Sequence, residues 1–253
     1  MLLNKQIKRR NKMKKFLALL MVMVLALCVV SCTPAVDPDA KSEGTMTHAE
    51  YVAAELDTEV TIEAFVQGKQ SWWEDDGVGK GTFYLQDGTG GYFIYELNCT
   101  EEQYNSLTVG TKIKVTGFKM EWSGEVEIDG NGATFEILED KYVADPTDLT
   151  EVYANETELI KYQNMLASVK GLTVKSEALY KWDGSGSEGD DLYITLTLGE
   201  DDFTFVVESY LCDKDTDVYK AVKALAAGDK IDVEGFVYWY NGPQLHLTKV
   251  TKK

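Results

Sequence analysis

The side chains in this chain best suited to recognition are its five tryptophans, and they fall into two kinds of loop. Trp72 and Trp73 precede the acidic turn Glu74-Asp75-Asp76-Gly77, and Trp182 precedes the similar run from Asp183 to Asp191. Trp122 and Trp239 stand just before the turns Ser123-Gly124 and Asn241-Gly242. An indole ring offers a flat apolar face and one N–H donor, so rings in loops can stack on a sugar face or on a planar base. Tyr180 and Tyr240 extend the two sets, and Tyr84, Tyr92, Tyr95, Tyr193 and Phe205 are strand aromatics that could widen the platform. Such rings also serve structurally, by plugging the end of a core or packing across a strand pair.

Other chemistry finds little support. The two histidines, His48 and His246, are far apart in sequence, and His246 alternates with Leu245 and Leu247 as a strand residue would. Neither belongs to a metal-ligand spacing, and no GxSxG, P-loop or HExxH motif is present. The loop from Asp183 alternates carboxylate and hydroxyl oxygens like a calcium loop. Its sixth position is Glu188 rather than Gly and its twelfth is Ile194 rather than Glu, so a solvated loop is expected. Of four cysteines, Cys28 and Cys32 are N-terminal, and Cys99 and Cys212 follow similar strand segments as expected buried thiols. No catalytic residue, metal site or cofactor is assigned.

The elements that must carry these rings are given by a repeat. Leu107, Gly110, Ile113, Val115, Gly117, Phe118 and Trp122 recur 118 residues later, beginning with Leu225, Gly228, Ile231, Val233, Gly235 and Phe236, with Trp239 in the place of the tryptophan. A period this long denotes two copies of a small domain. Thr47-His48-Ala49-Glu50 fits a capping box opening a short helix. Strands are then predicted over 60–67, 82–86, 92–97, 112–121 and 125–138, with a helix over 100–107. The second copy reads as strands over 166–176, 191–198, 203–209, 230–239 and 243–250, with a helix over 216–225. This order resembles the OB-fold, a five-stranded Greek-key barrel. The expected class is therefore mainly β: two tandem five-stranded OB-fold-like Greek-key barrels, each with a helix between strands 3 and 4. In the OB-fold the tryptophan-bearing loops frame a ligand groove over strands 2 and 3, which makes Trp72, Trp73, Trp122, Tyr180, Trp182, Trp239 and Tyr240 the candidate ligand-binding residues.

The N-terminus reads as targeting. Seven basic residues between Lys5 and Lys15 precede an apolar run over 16–30, and Val29-Val30-Ser31-Cys32 resembles a bacterial lipobox with Cys32 as the lipidated residue. Met13 is an alternative start. The expected organisation is a signal peptide over 1–31, a flexible stalk over 32–46, a first domain over 47–140, a connector over 141–164 and a second domain over 165–253. Removing the signal lowers Lys+Arg from 25 to 18 against 42 acidic residues, a net charge of −24, and takes away both arginines. Such a surface repels polyanions. The expected protein is a membrane-anchored extracytoplasmic lipoprotein, a non-catalytic module binding an oligosaccharide or a peptide through its aromatic loops. Single-stranded nucleic-acid binding, the commonest use of the fold, lacks the cations it needs. A protein–protein interaction or spacer role is the remaining alternative, since fold alone does not choose among them.

Overall fold

The computed structural model describes residues 36–253. The expected signal segment, Cys28 and the expected lipidation residue Cys32 lie outside the described residues.

The first sheet contains β1 (Glu59–Lys69), β2 (Trp73–Asp75), β3 (Val78–Gln86), β4 (Gly91–Asn98), β5 (Thr111–Trp122) and β6 (Glu125–Lys141). Its order is β1-β5-β6-β4-β3-β2, and a further β1–β3 pairing closes five of these strands into a barrel. All pairs are antiparallel except β4 with β6. That connectivity is OB-like. Helix α1 (His48–Ala53) precedes the sheet, and α2 (Glu101–Ser106) follows β4, with the side chain and backbone of Thr100 both engaged by Gln103 in a capping box.

The second sheet contains β7 (Thr147–Asp148), β8 (Leu166–Val174), β9 (Leu179–Tyr180), β10 (Leu192–Leu198), β11 (Asp201–Val207), β12 (Lys230–Trp239) and β13 (Pro243–Lys252). The order is β7-β8-β12-β13-β11-β10-β9 with an extra β8–β10 pairing, and β11 meets β13 in parallel at Val206 and His246. Helix α3 (Glu156–Leu159), continued by a 3-10 turn over Ile160–Tyr162, lies in the connector, and α4 (Asp217–Lys223) follows β11.

Period-2 burial fills each interior. Val60, Ile62, Ala64 and Val66 of β1 enter one core with Ile113, Val115 and Ile128. Val169, Ile194, Val207, Ile231 and Val233 enter the other. The buried thiols Cys99 and Cys212 are unbonded to each other.

One expectation is corrected. Residues 37–46, expected within a flexible stalk, lie along β1: Ser42 donates to the Glu63 carboxylate, Lys41 Nζ is 2.6 Å from Asp87 Oδ2, and Met46 bridges to Ile62. This cover explains why Glu63, on the outward parity of β1, is 1% exposed, while Phe65 on the same face packs against Tyr142 with ring centroids 5.4 Å apart. The connector packs into the fold. Leu149, Tyr153 and Leu159 are part of the second core, where Tyr153 stacks on Phe205 at 5.2 Å.

The two sheets are joined by a buried cluster of Tyr84, Phe93 and Phe236. Backbone bonds reinforce it: Leu166 N donates to Gln86 Oε1 at 2.7 Å, Asn241 N to Ser123 O at 2.7 Å, and Ser71 N to Tyr210 O at 2.7 Å. Gly91 is needed here, since a Cβ would lie 2.3 Å from the carbonyl carbon of Asn164.

Candidate functional site

Strand register decides which aromatics can meet a ligand. Across the first sheet, Tyr84 pairs with Phe93, Met120 with Glu127, and Phe118 with Asp129, which in turn neighbours Tyr95. Residues opposite one another share a face, so the outer surface of β3, β4, β6 and β5 alternates rings and carboxylates. In the second sheet Tyr193 pairs with Val206, Val206 with His246, and His246 with Phe236. The two outer faces converge where Phe236 stacks on Tyr84, with ring centroids 4.2 Å apart at 6°.

Above that junction the faces open into one groove of ≈ 850 Å³. Its aromatic lining is Trp73, Phe93, Tyr95 and Trp122 from the first half and Trp182, Tyr193, Tyr210, Tyr238 and Tyr240 from the second. Of the seven candidates, Trp73, Trp122, Trp182 and Tyr240 line it. Trp182 is the most open, 76% exposed, and Trp122 and Tyr240 lie with ring centroids 5.1 Å apart across the two hairpins.

The other three candidates do not line the groove. Trp72 donates Nε1–H to Cys99 O at 3.1 Å and covers Gly79, where a Cβ would stand 2.6 Å from its ring. Tyr180 and Trp239 pack against the second core. Trp239 also sits over Gly124, where a Cβ would stand 2.6 Å from its ring. Among the strand aromatics, Tyr95 and Tyr193 reach the groove, Tyr84 is buried beneath it, and Tyr92 and Phe205 point into the cores. The segments ending at Glu96 and Glu208 look aligned in sequence, but Phe93 faces outward and Phe205 inward. A one-residue offset in strand register reverses the face.

Sequence reasoning missed the carboxylates. Glu96, Glu127, Asp191 and Glu208 line the groove with no lysine or arginine among the lining residues. Burial, with Asp129 and Glu96 nearby, raises Glu127 to about 7. Burial also raises Glu208 to about 7, aided by Asp191 and opposed by the N–H groups of Tyr210 and Leu211. Glu96 lies in the left-handed region at φ 52° where the β3–β4 register shifts, a bulge-like irregularity that re-aims its side chain. Its carboxylate is 2.8 Å from Lys80 Nζ, and that ammonium lies 4.9 Å from the centre of the Trp73 ring. His246 lines the floor; burial holds it down to about 3, so it is neutral.

The lysines nearest in sequence are committed elsewhere. Lys69 donates to Tyr104 O at 2.7 Å, Lys112 is 3.3 Å from Glu63, and Lys119 caps α1 by donating to the carbonyls of Tyr51, Val52 and Ala54. Lys114 donates to Ser42 Oγ. Among the described residues no group of three or more His, Cys, Asp or Glu is placed to hold a metal ion.

No family model matches the chain. No curated protein matches it either. Similar solved structures include the tetrameric p202 HIN2, 10% identical with a TM-score of 0.33, covering 79% of this chain and 96% of that one. The Ifi202 HINa domain in complex with 20bp dsDNA is 11% identical with a TM-score of 0.35, covering 78% of this chain and 98% of that one. The wild-type single-stranded DNA binding protein from Thermus aquaticus is 12% identical with a TM-score of 0.27, covering 79% and 94%.

Proposed function

We propose that this chain is a non-catalytic binding module built from two tandem OB-like barrels, taking an extended oligosaccharide or peptide in the groove between them. One observation carries the reading: both strand 2–3 faces converge on a single groove whose rim holds the exposed rings Trp73, Trp122 and Trp182. Large rings left open around a concave site are costly to keep in water and profitable against a ligand face. The duplicated barrel thereby builds one composite site from two halves. The N-terminal basic and apolar run and the lipobox-like Ser31-Cys32 support export and attachment to the extracytoplasmic face of a membrane through Cys32.

Tryptophan fluorescence during titration with neutral oligosaccharides and short peptides tests the site. Saturable change that is lost in Trp182→Ala supports it, and no change with any probe removes it. Mass analysis of the probe after incubation tests the non-catalytic reading, since a shortened product would refute it. Mass analysis of the purified protein for acylated Cys32 tests the anchor.

Nucleic acid is the second reading, favoured by rings on the face where bases would stack. Four carboxylates and no cation in the groove oppose it, because phosphate contacts supply most non-specific affinity. Quenching by oligo-dT at low salt would establish it.

A further inference from the structure

We infer that the groove holds a cationic polypeptide segment, whose lysine or arginine side chains lie against the rings and between the carboxylates of the two walls. This rests on the binding reading above and narrows its ligand class.

The chain carries a small version of the arrangement itself. Lys80 Nζ is 2.8 Å from Glu96 Oε2, 3.8 Å from Asp75 Oδ2 and 4.9 Å from the Trp73 ring centre, while both Glu96 and Trp73 line the groove. An ammonium in contact with carboxylate and indole is thus already accommodated at one edge.

The opposite wall has the same ingredients without the cation. Asp191 and Glu208 stand beside Trp182, Tyr193 and Tyr210, and among the described residues neither acid has a lysine within ion-pair distance. Glu127 on the first wall is only 7% exposed and also lacks one. Asp191 accepts from Ser209 N and Oγ and Glu208 from the N–H groups of Tyr210 and Leu211, but these neutral donors leave the carboxylates without a counter-charge, which a ligand cation supplies. A neutral sugar would accept the same rings but leave those charges uncompensated, and a polyanion would add to them. His246, being neutral, does not repel an incoming cation.

The groove also has room for a chain. Phe118, Met120 and Trp122 alternate along β5 with exposures of 52%, 37% and 55%, an apolar stripe running away from the groove rim. An extended peptide presents alternate side chains with the same period, so apolar residues between its basic ones would meet this stripe.

The test uses the full chain and four probes: a capped peptide of alternating lysine and glycine, the same peptide with acetylated lysines, cellohexaose, and oligo-dT. Fluorescence and calorimetry should show binding of the lysine peptide, weakened about tenfold or more by acetylation, the size of one lost charge contact. The isosteric variants Glu127→Gln and Glu208→Gln should weaken it similarly, with unchanged circular dichroism. Equal affinity of the acetylated peptide overturns the inference. Binding of cellohexaose without the lysine peptide also overturns it and leaves the groove reading standing. Binding of oligo-dT alone, or of no probe at all, overturns both.

Discussion

The Tyr84 hydroxyl lies 2.8 Å from Nδ1 of His246, a contact from one sheet to the other beneath the groove floor. Both residues are buried, at 0% and 6% exposure, so neither can exchange its partner for water. Phe236 stacks on the same tyrosine ring and Tyr238 stacks on the same imidazole at 4.2 Å. The floor is a dry, hydrogen-bonded seam, and the groove's shape depends on it.

Removing that hydroxyl should loosen the seam. Tyr84→Phe keeps the ring stack but leaves the imidazole nitrogen without its partner, which costs about 1–3 kcal/mol. Urea unfolding followed by tryptophan fluorescence reads this loss, and an unchanged midpoint would mean that the bond contributes nothing.

Stability should rise on mild acidification. Burial raises Glu127 and Glu208 to about 7 and lifts Glu125 well above the ordinary carboxylate range, with Glu127 adding to the rise at Glu125. Burial lowers His246 to about 3 and also lowers His48, against the opposing pull of Asp87. Between about pH 7 and pH 6 the folded chain therefore takes protons onto Glu127 and Glu208, with Glu125 acting in the same direction, whereas the unfolded chain takes one onto the imidazole of His246, with His48 acting in that direction. The folded state binds more protons, so stability increases as pH falls, on the order of 1 kcal/mol per unit. The trend should reverse toward pH 4 and below. There Asp87, held down by Lys41 despite its burial, and Asp148, held at about 2 by Lys170, lose their stabilisation. Urea midpoints at pH 7, 6 and 5 check the slope, which should change sign in the Glu127→Gln, Glu208→Gln double variant.

The tryptophans should separate into two classes. Trp182→Ala removes a ring that is 76% exposed, so stability changes by less than about 0.5 kcal/mol while ligand affinity falls roughly tenfold. Trp72→Ala removes a packed ring and a hydrogen bond to Cys99 O, costing about 2–3 kcal/mol with little direct effect on the groove. Paired melting and titration measurements distinguish them, and similar behaviour of the two would contradict the assignment.

Gly235 should resist substitution. A Cβ there would lie 2.2 Å from the carbonyl oxygen of His246, at the register shift between β12 and β13. The backbone must move, so Gly235→Ala should cost about 2 kcal/mol or more and disturb the groove floor. Its counterpart Gly117 has Ile128 Cγ2 at 2.7 Å from the same position, a side chain that can shift, so Gly117→Ala should cost less.

Cys99 and Cys212 should be inert in the folded protein. Burial raises both thiols to about 11, with Lys69 opposing the rise at Cys99, and the thiolate is the reactive form. Alkylation mapped by peptide mass should find both unmodified until denaturant is added.

The barrel was legible because its code is local. Alternation in β1, the Thr100 and Thr216 helix starts and the glycine-marked turns each depend on a few neighbouring residues. The helices predicted over 100–107 and 216–225 are found as Glu101–Ser106 and Asp217–Lys223. The site was only partly legible. Trp73, Trp122, Trp182 and Tyr240 could be picked out as loop aromatics, but Trp72 and Trp239 look identical to them in sequence. What separates these residues is whether a glycine such as Gly79 or Gly124 lies beneath the ring to receive it. Glu127 and Glu208 gave no signal among 42 acidic residues, because a carboxylate becomes distinctive only when burial shifts it.

By itself the sequence determined the mainly β class and the succession of strands and helices along the chain, since periodicity and turn chemistry act over a few residues. Only the tertiary structure decided that the two outer faces meet at Tyr84 and Phe236, that residues 37–46 cover β1, and that four carboxylates share one groove. Those are contacts between residues up to about a hundred and sixty positions apart, such as Tyr84 with His246, and packing rather than local propensity selects them.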